Sequence, residues 1–229
     1  MKTVLVKLFG AGALLLAAAT AAFGQAKQNT NFFANALVPD NDLSGLASSR
    51  SFTSVITNIT DLDLNLTIAG NFNGDLYGYV THGTGFSVLL NRPGRTASNP
   101  AGYSDLGFNV KFDDAAANGD IHTYRAKLLG DPSAHLDSPV TGTWQPDARA
   151  VDPSVAVDTD ARTAFLSAFN GLDANGTWTL FLADLSPGGS STLISWGLEV
   201  TGIPEPGTWI LFTLGGFGLL IASRTWRKH

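Results

Sequence analysis

Three histidines, His82, His122 and His135, are the only imidazoles between residues 25 and 203, and the chain has no cysteine. Nucleophilic or general-base chemistry therefore has few groups to draw on. No serine sits in a Gly-x-Ser-x-Gly elbow, no His-Glu-x-x-His pair points to a zinc helix, and glutamate occurs only at Glu199 and Glu205. His82, beside glycines after a strand-like run, reads as a solvated turn residue, and Glu199 as a solvated side chain on the polar face of a strand. Aspartate is plentiful, with 17 of the 19 acids, and clustered aspartates on loops are the usual donors to calcium. Asp75 at a turn, the pair Asp113-Asp114 and Asp184 after an apolar strand are the candidate ligands, with turn capping and solvation as their alternatives. Asp173-Ala174-Asn175-Gly176 fails as an EF-hand loop, because Gly171 stands at the first ligand position and Leu182 at the last. No other cofactor is suggested, and a non-catalytic protein is expected.

Aromatic residues offer a second kind of chemistry, stacking on sugar rings. Trp178 and Trp196 fall at alternating apolar positions and are expected in the core. Tyr77, Tyr79, Tyr103, Tyr124 and Trp144 are open between a surface platform and packing beneath loops; Tyr77 and Tyr79 share one strand face.

These residues have to be positioned mainly by strands. In Leu62-Asp63-Leu64-Asn65-Leu66-Thr67-Ile68 every second residue is apolar, the pattern of a half-buried strand. Thr192, Ile194, Trp196, Leu198 and Val200 similarly share a face opposite Ser195, Gly197 and Glu199. Trp178 to Leu182 is more apolar throughout and reads as an inner strand covered on both sides. Asn-Gly pairs at 73–74, 118–119, 170–171 and 175–176 supply turn chemistry. The fold class is all-β, an antiparallel, jelly-roll-like β-sandwich over residues 36–202. One short helical piece is predicted near Ala161 to Phe169. Residues 25–35 read as a polar lead-in, and residues 130–160, with four prolines, as a long surface excursion.

The two ends of the chain carry a different message. Residues 1–24 have Lys2 and Lys7, an apolar stretch from Leu8 to Ala19 and small residues ending at Gly24, the layout of a secretory signal peptide. Beyond Ile203 come Pro204-Glu205-Pro206, an uncharged apolar run over 208–223, and a basic tail over 224–229 containing Arg224, Arg227 and Lys228. As a helix the run is roughly 24 Å long at about 1.5 Å per residue, a little short of a hydrocarbon core about 30 Å thick. Trp209 and Trp226 can sit at the headgroups, and the basic residues should stay on the cytoplasmic side. The two prolines keep residues 203–206 extended and accessible to a protease. Between these ends lie 18 of the 19 acids and nine of the 14 basic residues, a net charge of −9, so nucleic acid is not an expected partner.

Proline-Glu-proline, a short apolar helix and a closing Arg/Lys cluster resemble the bacterial PEP-CTERM sorting signal. That resemblance implies cleavage of segment 203–229 by a membrane-embedded exosortase, transient anchoring in the inner membrane, and delivery to the cell envelope or extracellular matrix. An apolar helix of the folded domain and a eukaryotic lipid-anchor signal are the alternatives.

From Leu37 to Thr201 the order of landmarks resembles the P domain (P/Homo B) of subtilisin-like proprotein convertases. The landmarks are Val38-Pro39-Asp40, Ile59-Thr60-Asp61-Leu62, Gly74-Asp75-Leu76, Leu89 to Gly94, Phe112 to Ala115, Leu166 to Gly171, Gly176 to Leu180 with Ala183-Asp184, and Trp196-Gly197-Leu198. The resemblance implies a jelly-roll sandwich, with calcium near its loops in some members. The expected role is adhesion or matrix binding, with polysaccharide or another envelope component as partner. A secreted hydrolase, a protease-associated accessory module, or a purely mechanical matrix unit are the other readings.

Overall fold

The computed structural model describes residues 24–205. The leader through Phe23, Pro206, the apolar segment 208–223 and the basic residues Arg224, Arg227 and Lys228 lie outside the described residues. No helix among the described residues is long and apolar enough to cross a membrane.

Nine strands form two sheets. They are β1 (Ala26–Val38), β2 (Asp42–Phe52), β3 (Ile56–Ala69), β4 (Leu76–His82), β5 (Gly85–Asn91), β6 (Gly107–Phe112), β7 (Val140–Trp144), β8 (Gly176–Asp184) and β9 (Ser191–Pro204). The first sheet has the order β1-β9-β3-β6-β7 and the second β2-β8-β4-β5. Neighbours run antiparallel except β6 and β7, which are parallel. The wholly antiparallel expectation is corrected there: residues 113–139, including the short helix α1 (Tyr124–Leu129), form a crossover long enough to bring β7 in alongside β6.

Alternation decides the core. Leu62, Leu64, Leu66 and Ile68 are all buried and face the second sheet's Leu76, Val80, Leu180 and Leu182 in one continuous apolar cluster. Trp178 and Trp196 are fully buried, and the Trp196 indole N–H reaches across the layers to donate to Ser48 Oγ at 3.0 Å. Strand β9 departs from its predicted face at one end. The register against β3 slips between Thr67↔Ser195 and Ile68↔Leu193, a bulge that buries Leu193 and turns Ile194 outward.

Several expectations are corrected. Residues 25–35 are no lead-in. They form most of β1, paired with β9 from Ala26↔Gly202 to Val38↔Ser191. The inward positions Ala26, Phe32 and Ala34 pack on the core, a period-2 pattern diluted in the sequence by asparagines. Residues 130–160 are not simply a surface excursion, because they contain β7 with the buried Trp144 and the buried stretch Pro146 to Arg149. The 161–169 helix shrinks to a 3-10 turn over Leu166–Phe169, while α1 lies at Tyr124–Leu129.

On the outer face of the first sheet Glu199 is not a free side chain. It accepts from Asn65 Nδ2 and pairs with Lys27 (2.9 Å) and Lys111 (3.1 Å), and Lys111 also meets Asp63 at 2.6 Å. The Lys27 hydrogen bond, with Lys111 and Asn65 overcoming partial burial, holds the Glu199 carboxyl down to about 2. This cluster ties β1, β3, β6 and β9 together across their outer surface.

Candidate functional site

Among the described residues no further sheet or helix covers the outer face of the second sheet, and its outward positions carry aromatic rings. Strand β8 is not covered on both sides as its apolar run suggested: Trp178, Leu180 and Leu182 point inward, while Thr179 and Phe181 are half-exposed. Strand β4 alternates in the same way, with Leu76, Gly78, Val80 and His82 inside and Tyr77, Tyr79 and Thr81 outside. Tyr79 lies opposite Phe181 in the β4–β8 ladder, and the two rings stack at 4.8 Å and 19°. Tyr77 stands 5.8 Å from Tyr79 on one side and Phe86 of β5 stands 5.3 Å away on another.

Four rings from three adjacent strands thus form one row. Its outer edge on β2 is small: Ala47 pairs with Phe181, and Ser49 and Thr179 share a hydroxyl hydrogen bond at 2.8 Å. Gly45, at φ +53, lets the β2 backbone approach the Phe181 ring, where a Cβ would lie 2.6 Å from its edge. A cleft of about 440 Å³ opens beside the row, between Tyr77, Phe86 and Phe181 on its floor and Val151, Asp152 and Pro153 on its wall. That size is in the range of small-ligand sites. Burial first, then the neighbouring Tyr79, Asp152 and Asp147, lift the Tyr77 phenol above its ordinary value.

The other aromatics left open by the sequence are structural. Tyr103, Tyr124 and Trp144 are buried. Tyr124 donates to Asp105 at 2.6 Å, and the Arg125 guanidinium lies 4.4 Å over the Tyr103 ring.

The histidines are engaged in three different ways. His82 is buried, not solvated. Its ring stacks on Trp178 at 4.2 Å, with Nδ1 2.9 Å from the Thr177 carbonyl and Nε2 2.7 Å from that of Asp173. His122 is wholly buried between Asp147 Oδ2 (2.7 Å) and the Arg95 carbonyl (2.8 Å). Both its nitrogens therefore face acceptors, leaving none for a nucleophile.

His135 is exposed, and its Nδ1 lies 3.2 Å from Ser104 Oγ and 3.9 Å from Asp105 in a polar cleft. Serine, histidine and aspartate are close here, yet the wiring differs from a triad, in which nucleophile and acid sit on opposite ring nitrogens. Both are on Nδ1, which also accepts from Arg125 Nη2 at 3.0 Å. The Asp105 oxygens are taken by Arg125 Nε and Nη2, the Tyr124 hydroxyl and the Leu136 N–H.

The four candidate calcium ligands do not form one set. Asp113 caps the Ala115 N–H, and Asp114 holds the N–H groups of Leu166 and Ser167, fixing the 3-10 turn to the end of β6. Asp75 and Asp184 meet at the β4–β8 end, where Arg92 pairs with Asp75 at 3.2 Å and supplies a positive charge. Burial, with Asp75 and Asp40 adding to it, pushes Asp184 up to about 6. Among the described residues no three His, Cys, Asp or Glu side chains converge as a metal site.

Pro204 and Glu205 close the described chain. Pro204 lies opposite Ile56 as the last residue of β9, and the Glu205 N–H donates to the Val55 carbonyl at 3.0 Å. The segment is extended, as its prolines predict, and the Glu205 side chain is exposed.

No protein-family model and no curated protein matches the chain. Among solved structures it is similar to the serine protease of Aeromonas sobria. The structure of that protease with the chaperone matches at 14% identity over 79% of this chain, with a TM-score of 0.45. A structure of the protease itself matches at 13% identity over 78% of this chain, with a TM-score of 0.40. This chain spans 27% of the length of each.

His122 gives a pH signature. Burial alone would lower its pKa, but the Asp147 hydrogen bond and charge, helped by the Arg95 carbonyl, outweigh it and raise the folded value above the ordinary 6.5. The contribution is complete below about 6.5 and is lost as pH rises through the folded value. Urea unfolding from pH 6 to 9 should show falling stability, and His122→Gln should lose about 1–3 kcal/mol at pH 6 and a smaller amount at pH 9. Equal losses at both pH values would contradict a charged native imidazole.

Proposed function

We propose that this is an exported, non-catalytic cell-surface or matrix protein whose sandwich binds envelope polysaccharide on the outer aromatic row of its second sheet. The carrying observation is that row: Tyr77, Tyr79, Phe86 and Phe181 side by side and partly exposed, with serine and threonine hydroxyls along one edge. Half-exposed rings on a rigid sheet offer flat apolar faces to the C–H faces of pyranoses, and the neighbouring hydroxyls can meet sugar hydroxyls. A jelly-roll sandwich of P-domain type is the fold this reading assumes. The wiring of the three histidines supports a non-catalytic role. Calcium is left out of this reading, since Asp113 and Asp114 already hold backbone N–H groups and Arg92 pairs with Asp75 at the β4–β8 end.

Delivery follows from the ends of the chain. A signal peptide exports it, the 208–223 helix holds it in the inner membrane with its basic tail inside, and an exosortase-type enzyme acts near Pro204-Glu205-Pro206. The extended Pro204-Glu205 segment supports presentation of that site at the edge of the folded body.

Two measurements test this. Phe181→Ala and Tyr79→Ala should each weaken retention on the cognate envelope polysaccharide about tenfold or more, with only a modest change in melting temperature because both rings are half-exposed. Unchanged retention in both would remove the row from the binding surface. Glu205→Ala leaves the Glu205 N–H bond to Val55 in place, so in cells it should block C-terminal processing and mislocalise the protein without unfolding it. Normal processing would refute the sorting assignment.

A further inference from the structure

We infer that the glycan held on the aromatic row carries free amino groups, with Asp152 as its charge partner; this rests on the binding surface proposed above and names its ligand class. Asp152 is the one charged residue lining the cleft beside Tyr77 and Phe181. It is exposed, and its Oδ1 accepts the Ser154 N–H at 2.8 Å, so the carboxylate is fixed in direction at the cleft wall. Its bonds to Ser154 hold it below the ordinary carboxylate range. At the opposite rim, Leu43 lines the cleft and the adjacent Asp42 is likewise held below that range by Ser44. At the same end of the sheet the Asp40 charge bears on Asp75 and on Asp184.

Available cations do not offset this. Of the nine basic residues between 25 and 203, Lys27 and Lys111 are paired with Glu199, Arg92 with Asp75 and Arg125 with Asp105. Arg149 and Arg162 both pair with Asp120. Arg50 spends its guanidinium on the Ser49 and Phe33 carbonyls. Arg95, beneath the cleft wall, donates to the Pro153 and Ala156 carbonyls. The remaining one, Lys127, is on α1 and does not line the cleft. A uronic-acid or sulfated polymer would meet carboxylates with no free cation among the described residues lining the cleft, whereas a protonated amine on a stacked sugar gains the Asp152 charge.

The test uses the full-length chain, with glucosamine oligomers, their N-acetylated counterparts of equal length and oligouronates, titrated at mildly acidic pH in low and high salt. Glucosamine oligomers should bind tightest and weaken with salt, N-acetylated oligomers should bind more weakly with little salt effect, and oligouronates should not bind. Asp152→Asn should cost the glucosamine oligomer about two- to fivefold and leave the N-acetylated one unchanged. Equal, salt-insensitive binding of both neutral and amine forms, or tighter binding of oligouronates, would overturn the amine assignment while leaving the platform intact. Glucosamine binding that survives Phe181→Ala unchanged would overturn it too, as attraction to the acidic surface at large. No binding of any oligomer to the wild-type chain would overturn both.

Discussion

Strand β9 is hydrogen-bonded along both sides, to β1 and to β3, and the parity of its residues sets what each face of the first sheet can be. A one-residue slip would exchange its faces. In the observed register Trp196, Leu198 and Val200 enter the core and Glu199 turns outward to gather Lys27 and Lys111. The bulge at Ile194–Ser195 is absorbed without exposing the core, because Leu193 takes the inward position. With Trp196 bonded to Ser48 of β2, this strand also fixes the spacing of the two layers.

The outer faces of the two sheets then diverge. On the first, buried and half-buried charges are matched across strands, which stabilises the sheet and leaves little for a ligand. On the second, the same alternation puts aromatic rings outside, where burial is incomplete and no packed layer among the described residues uses them. A solvated strand face is ordinarily polar, so a row of rings at stacking distance is a departure from what folding alone requires. The surrounding chain reinforces the difference, because nearly every basic side chain among the described residues is tied up in ion pairs or carbonyl contacts.

Much of the fold was legible because period-2 alternation survives in β3 and β9, whereas the apolar run of β8 hid its outward Thr179 and Phe181. Leu62 to Ile68, Trp178 and Trp196 all landed inside as read. Residues 25–35 were not legible: Gln28, Thr30 and the outward asparagines hide the inward Phe32 and Ala34, and only pairing with β9 reveals the strand. The parallel β7 depends on a crossover whose path no local pattern encodes. His82 was misread although the signal was present, since Leu76, Val80 and His82 share one parity and the imidazole simply continues the inner face to Trp178. Sharing of a face by Tyr77 and Tyr79 was visible, but the rings of Phe86 and Phe181 join them only through cross-strand register. The aspartates were ambiguous for a plain reason: a carboxylate that caps a backbone N–H and one that binds calcium have the same sequence signature.

Everything proposed for function turns on whether sugars dock against the outer ring row. Aromatic-proton NMR of the full-length chain during titration with a glucosamine oligomer addresses it directly. Ring resonances of Tyr77, Tyr79, Phe86 and Phe181 should shift together and saturably, while those of the buried Trp144, Trp178 and Trp196 stay in place. Shifts confined to the Ser104–His135 cleft, with the four rings unmoved, would contradict it.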